Sequence, residues 1–244
     1  MPSAMVKIAA TGDIHGRRFL DLYIKAMGEL PSDVEVLLLC GDVINKGKAE
    51  DVELVIEATR RFFKGRVYAC FGNEEYETVQ DKIVELSRGE IHWIDESIVK
   101  LYMSDAVITL IGTRGCLDRP TRWQRRNIPR IEEIYARRVE KVRELLAQVD
   151  REENSILFMH YAPTYKTLMG EEKWAWPELG CRKMEAVISS YRPTLVLHAH
   201  AHRGEVAKTA IGATPIYNVS LPARRKIMVI DITALKRTTL DAYW

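Results

Sequence analysis

The chain lacks any apolar run long enough to cross a bilayer. No uninterrupted stretch exceeds five residues, Val36 to Cys40 being one, whereas a spanning helix needs about twenty. Met1-Pro2-Ser3-Ala4-Met5 has neither the basic segment nor the apolar core of a secretory signal, and Met5 is a second candidate start. Cys40, Cys70, Cys116 and Cys181 form no C-x-x-C pair and no zinc-ribbon spacing. Cys40 and Cys70 close apolar runs and read as reduced, buried thiols. These absences argue against a membrane partner and a disulfide framework, and they point to the reducing cytoplasm. Charge of one sign is missing too: 36 Lys and Arg face 34 Asp and Glu, a net of +2. Nucleic acid is conceivable as a partner, but no recognised binding motif supports it. Asn and Gln are scarce beside Arg, Lys and Glu, a slight sign of heat adaptation. There is no repeat, low-complexity segment or linker.

What is present is an ordinary globular composition. With 244 residues, 47% apolar and 29% charged, the chain can bury a sizeable core, and a single domain over 1–244 is expected. The stretch that organises it is Thr11-Gly12-Asp13-Ile14-His15-Gly16, reached by the β-forming run from Val6 to Ala10. Asp13 and His15 stand two apart at a strand's carboxyl end, where open α/β sheets place ligands. If the backbone stays extended, the two side chains share a face and can hold one divalent cation.

The order that follows is regular. Residues 17–30 have helical spacing, 34–40 form a strand running into Gly41-Asp42, and 49–64 form a charged helix. Residues 67–71 then form a strand ending in Gly72-Asn73-Glu74-Glu75. This β-α-β-α-β alternation predicts parallel strands with their ends along one edge. A helix over about 74–88 precedes two strands, 97–103 and 106–112, joined as a hairpin at Ser104-Asp105, where antiparallel pairing is expected. An irregular arginine-rich segment spans 114–130. A helix over 131–149 then leads to strand 156–159 and His160. Beyond an aromatic loop and a helix over 182–191, strand 194–198 delivers His198-Ala199-His200-Ala201-His202. Closing strands at 216–219, 226–232 and 238–243 are expected to be antiparallel.

Asp-x-His, Gly-Asp, Gly-Asn, a lone His after a strand and His-x-His thus occur in order. With these residues, Gly12-Asp13-Ile14-His15, Gly41-Asp42, Gly72-Asn73, His160 and His200-Ala201-His202, nearly the whole chain resembles the calcineurin-like metallophosphoesterase superfamily. The resemblance implies an α/β fold, a four-layer αββα sandwich of two mixed sheets with a two-metal site at its loops. It implies that Asp13, His15 and His202 hold one ion, that Asn73, His160 and His200 hold the other, and that Asp42 bridges them. Two cations roughly 3.5–4 Å apart can acidify a shared hydroxide and clamp a phosphoryl group for in-line attack. Mixed oxygen and nitrogen ligation suits Mn2+, Fe or Zn2+ better than Mg2+.

Two departures stand out. Ala199 occupies a position where the family often has Gly, and His198 opens an alternative pairing, since 198, 200 and 202 would face one way in an extended strand. The turn at Arg203-Gly204 favours His200 and His202, leaving His198 behind the ligands or in the core. Glu74 stands where many relatives carry a His that is thought to contact phosphate and protonate the leaving group. A carboxylate beside two cations stays charged, making it a poor general acid and repelling anionic substrates. Glu74 could instead bind metal or cap the following helix.

Other signals are weaker. Arg114 and Arg119, from a segment that also holds Arg122, Arg125, Arg126 and Arg130, could grip phosphate, although solvated or paired arginines would look the same. Tyr165, Trp174 and Trp176 suit a local core or a dimer contact, as a homo-oligomer would provide, better than stacking on substrate. His92 reads as structural or exposed, and no chemistry attaches to Asn218-Val219-Ser220. The expected activity is phosphoester hydrolysis of a small molecule or nucleotide, diester rather than monoester because Glu74 repels a singly charged diester less. The alternatives are a nucleotide phosphatase and a metal-bound nucleotide-sensing module with weak catalysis.

Overall fold

The computed structural model describes residues 6–103, 107–150 and 153–232. The turn expected at Ser104-Asp105 and the strand expected over 238–243 lie outside the described residues.

Alternation of side chains along the strands explains the layering. In β1 (Lys7–Thr11), β2 (Val36–Cys40) and β3 (Arg66–Cys70), Ala9, Leu37, Leu39, Val67 and Ala69 face one way. They pack beneath α1 (Leu20–Gly28), α2 (Asp51–Phe62) and α3 (Gln80–Ser87). Ile8, Ala10, Val36, Leu38, Cys40 and Cys70 face the other way and meet Leu110, Ile156, Phe158, Leu195 and Leu197 of a second sheet. Strands buried on both faces read as continuous apolar runs, which is why these segments stand out in the sequence.

The first sheet has the order β11-β1-β2-β3-β4, with β4 at His92–Trp93 and β11 at Met228–Asp231. Its strands are parallel except β11, which pairs antiparallel with β1. The second sheet has the order β5-β6-β7-β8-β10-β9. Its strands are β5 (Ser97–Tyr102), β6 (Val107–Thr113), β7 (Asn154–Met159), β8 (Leu195–His198), β9 (Lys208–Ile211) and β10 (Thr214–Asn218). The outer face of this sheet carries α5 (Ile131–Ala147) and α6 (Lys183–Tyr191) over Ile111, Leu157, Met159 and Val196. Helices outside, two sheets face to face: the expected αββα sandwich is present.

Several local readings change. β5 and β6 are antiparallel as expected, but β10 runs parallel to β8. The reason is β9, unread in the sequence: it turns back at Gly212 (φ 57°) to form a hairpin with β10, which restores the direction of β8. Within the segment read as irregular, α4 (Arg122–Asn127) is closed by a capping box between Thr121 and Gln124. The helix read as starting near Glu74 starts at Gln80, after a 3-10 turn over Glu77–Val79. Glu74 therefore caps no helix. A short α7 (Leu221–Arg224) precedes β11. No described helix is long and apolar enough to cross a membrane.

Candidate metal centre

The carboxyl ends of β1, β2, β3, β7 and β8 lie along one edge, and each passes into a loop with a candidate ligand. β1 ends at Thr11, so Asp13 and His15 do not sit on extended backbone. Both adopt left-handed conformations (φ 59° and 51°), as do Asp42 (φ 50°) and His200 (φ 67°). For non-glycine residues this conformation is uncommon, and it persists where surroundings over-determine it. Here they do: Asp13 N–H donates to Gly41 O (3.0 Å), His15 N–H to Asp42 O (2.8 Å) and Gly16 N–H to Val43 O (2.8 Å). Gly41 has φ 78°, and a Cβ there would lie 2.8 Å from the His160 ring; at Gly72 it would lie 2.2 Å from Asp42 Oδ1. The glycines before the ligands are therefore required by close packing, not only by the turn.

The side chains converge in two groups around Asp42. His202 Nε2 lies 3.3 Å from both Asp13 Oδ1 and His15 Nε2. His160 Nε2 lies 2.9 Å from Asn73 Oδ1. Asp42 Oδ2 lies between the groups, 3.4 Å from His160 Nε2 and 3.8 Å from His15 Nε2. Candidate ligand atoms of Asp13, His15 and His202, and of Asp42, His160 and His200, are each clustered within 4.8 Å, as are those of His15, Asp42 and Glu74. His200 and His202, not His198 and His200, enter these groups. β8 ends at His198, and alternation puts it on the face of Val196.

Hydrogen bonding fixes what these atoms offer. The Nδ1–H of His160 donates to Cys40 O at 3.1 Å, because a carbonyl can only accept. Its Nε2 lone pair therefore points at the amide oxygen of Asn73, whose own NH2 donates to Glu74 Oε1 (3.2 Å). Burial and the neighbouring His200 hold His160 well below the usual histidine range, so no proton relieves this lone-pair contact. Burial likewise pushes His15 and His200 down to about 4. Burial opposes the charge of Asp13, yet His202, His160 and His15 hold its carboxyl well below the usual range. Burial, with Glu75 and Asp13, pushes Asp42 well above it. For His202 the carboxylate of Asp13 outweighs burial and raises the ring. Asp13 Oδ1 is buried with no hydrogen-bond partner. Converging lone pairs, an orphaned carboxylate oxygen and mutually repelling carboxylates are what a divalent cation satisfies. The residues present fit such ions.

The supports are less visible in the sequence. Glu75 is fully buried, and its carboxylate accepts N–H bonds from Asp42 (2.9 Å), Ile44 (2.9 Å) and Gly72 (2.6 Å). It thereby ties the loop after β2 to that after β3. Asn218 donates from Nδ2 to Ala201 O (3.1 Å), pinning the His-x-His loop. Glu74 N–H donates to Asp42 Oδ1 (2.8 Å), while its carboxylate accepts Lys46 N–H (2.6 Å).

Among the expected substrate contacts, Arg114 donates to Glu75 O (3.0 Å) and lines the cavity beside the centre. Arg119 is turned elsewhere, to Glu178 (3.0 Å) and Trp174 O (2.8 Å). Arg130 pairs with Glu133, and Arg125 bonds Pro120 O. Tyr165 and Trp176 pack into a small core with Leu168 and Ala201, whereas Trp174 is exposed. His92 is exposed beside Tyr68.

His198 is buried, with Nδ1–H on Ala199 O (2.8 Å), and burial pushes it down to about 4 from 6.5. Between those two pH values the unfolded chain binds a proton that the folded one refuses, so stability is lost as pH falls from 6.5 to about 4. In ion-free protein, urea unfolding across that window should show His198→Phe losing stability less steeply than wild type, by about 1.4 kcal/mol per pH unit for one proton. Equal slopes would place the titration elsewhere.

An αββα sandwich with an oxygen- and nitrogen-rich centre at the carboxyl ends of its strands is an architecture whose donors could hold divalent cations. The family model for calcineurin-like phosphoesterases matches residues 6–204, and the chain belongs to that family. Among solved structures it is similar to TT1561 of Thermus thermophilus, with 15% identity, TM-score 0.61, and coverage of 94% of this chain and 100% of that one. It is also similar to the phosphopantetheinyl hydrolase PptH of Mycobacterium tuberculosis, with 16% identity, TM-score 0.67, and coverage of 91% and 92%. No curated protein sequence matches the chain.

Proposed function

We propose that this protein is a dinuclear-metal phosphoesterase that prefers phosphodiesters. Family membership supplies the broad activity. The observation that carries the rest is Asp42 Oδ2 standing between His15 and His160. In this reading Asp13, His15 and His202 hold one ion, Asn73, His160 and His200 the other, and Asp42 is shared. Divalent cations held there would lower the pKa of a coordinated water and draw charge from phosphoryl oxygens. The protein's own part is to orient. Cys40 O fixes the His160 tautomer, Glu74 N–H holds Asp42 Oδ1, and Asp13 Oδ2 accepts His200 N–H at 2.9 Å. Mn2+, Fe or Zn2+ suit this donor set.

Glu74 supports the preference for diesters. Its carboxylate oxygen clusters within 4.8 Å of a His15 ring nitrogen and an Asp42 carboxylate oxygen, and negative charge there disfavours a dianionic monoester more than a monoanionic diester. The test is Mn2+-dependent turnover of bis-p-nitrophenyl phosphate against p-nitrophenyl phosphate. A higher kcat/KM for the diester is expected, and the reverse order would make the protein a phosphatase. Metal and nucleotide binding without turnover of either ester would make it a sensing module. Glu74→His should accelerate alkyl esters, whose departure needs a proton, by roughly tenfold or more, with little change for p-nitrophenyl esters. Equal effects on both would remove Glu74 from the departure step.

A further inference from the structure

A cavity of about 700 Å3 opens beside the centre, a size typical of pockets that enclose a drug-sized ligand. Asn73, Glu74 and His200 line it at the metal end. Away from that end its walls are Leu117, Trp123, Ile128, Ile131, Ile134 and Tyr135. Trp123 stacks on Tyr76 (ring centroids 5.7 Å apart) and remains half exposed. The wall of the cavity is tied to the centre. Gln124 of α4 donates from Nε2 to Tyr161 Oη (2.9 Å), and Tyr161 follows His160.

Most polar side chains in this wall are already engaged, the buried Tyr135 Oη and Arg114 Nε excepted. The Gln124 amide oxygen accepts Thr121 N–H at 2.8 Å. Arg138 bonds Gly115 O at 3.0 Å and pairs with Glu96. The charged groups Lys46, Glu74, Glu77 and Arg114 belong to the stretches next to the centre, Arg114 donating to Glu75 O. A nucleobase edge among Ile128, Ile131 and Ile134 would leave its donors and acceptors unpaired, whereas a hydrocarbon would lose nothing. We propose that this cavity binds one ester arm of the substrate and that this arm is an extended apolar chain, making the substrate an amphiphilic phosphodiester. The proposal rests on the hydrolase reading above.

Two measurements test it separately. The first is the KM of Mn2+-loaded protein for n-alkyl p-nitrophenyl phosphates from methyl to decyl, kept below their micelle concentrations. Burial of methylenes should tighten binding by up to about fourfold each until the cavity fills. A fall of at least about thirtyfold from methyl to decyl is therefore expected in wild type, shrinking to below about threefold in Ile134→Asp. Ile134→Ala, a milder change at a half-buried site, should fall between them. The second is calorimetry with n-alkyl phosphonates from propyl to decyl, which needs no turnover. A chain-length-dependent affinity with an increasingly negative heat-capacity change is expected.

A flat dependence on chain length in wild type would overturn the proposal. So would a lower KM for a nucleoside 5′-p-nitrophenyl phosphate than for the decyl ester. Chain-length-dependent phosphonate binding with no ester turned over would sustain the apolar cavity and overturn the hydrolase reading alone.

Discussion

Replacing Asp42 with Asn is expected to lower Mn2+-dependent ester turnover by roughly a thousandfold, because bound metal supplies several kcal/mol of transition-state stabilisation and each ~1.4 kcal/mol is a factor of ten. The fold should survive. An Asn carbonyl can still accept Glu74 N–H in place of Asp42 Oδ1. What changes is the other atom: an NH2 group replaces Oδ2 between His15 and His160 and presents donors where lone pairs are needed. Metal analysis by mass spectrometry should show reduced occupancy together with the lost turnover, at a melting temperature close to wild type. Full occupancy with wild-type rates would remove Asp42 from its shared position.

The second large effect should fall on stability. Glu75→Ala strands three buried N–H groups, those of Asp42, Ile44 and Gly72. At about 1–3 kcal/mol for each unsatisfied group, destabilisation of roughly 3–9 kcal/mol is expected, less whatever water relieves. For a chain of this size that lowers the melting temperature by on the order of 10 °C or more. Turnover at 25 °C should fall as well, since the loops holding Asp42 and Asn73 lose their common brace. Glu75→Gln keeps an acceptor but turns an NH2 toward the remaining donors, so it should recover only part of the loss. Differential scanning calorimetry decides the matter: a shift under about 2 °C for the alanine variant would mean these bonds add little.

The contrast between Asp42 and Glu75 shows what a sequence makes legible. Asp42 announces itself because an acid after glycine at the end of an apolar strand is a local pattern. So do Asp13, Asn73, His160 and the His-x-His pair, and parallel topology brings strand ends together without fine detail. Glu75 has no such mark. Its role is created by complete burial and by the amides of Asp42 and Ile44, more than thirty residues away, together with that of Gly72. Backbone conformation is equally hidden. Extended geometry would put Asp13 and His15 on one face, but left-handed turns achieve the convergence. In α4, five polar residues of six conceal a helix held by its capping box and by Tyr161. Short edge strands such as β4 and β9 lack the apolar run that burial on two faces demands.

The hydrogen bonds from Asp13, His15 and Gly16 to Gly41, Asp42 and Val43 lace the loops after β1 and β2 into one body. Lengthening either loop would unfasten its neighbour and scatter ligands on both. Insertions and drift that retune selectivity are thus channelled toward the connection between β6 and β7, where α4 forms a wall that can vary while the chemistry behind it stays in place.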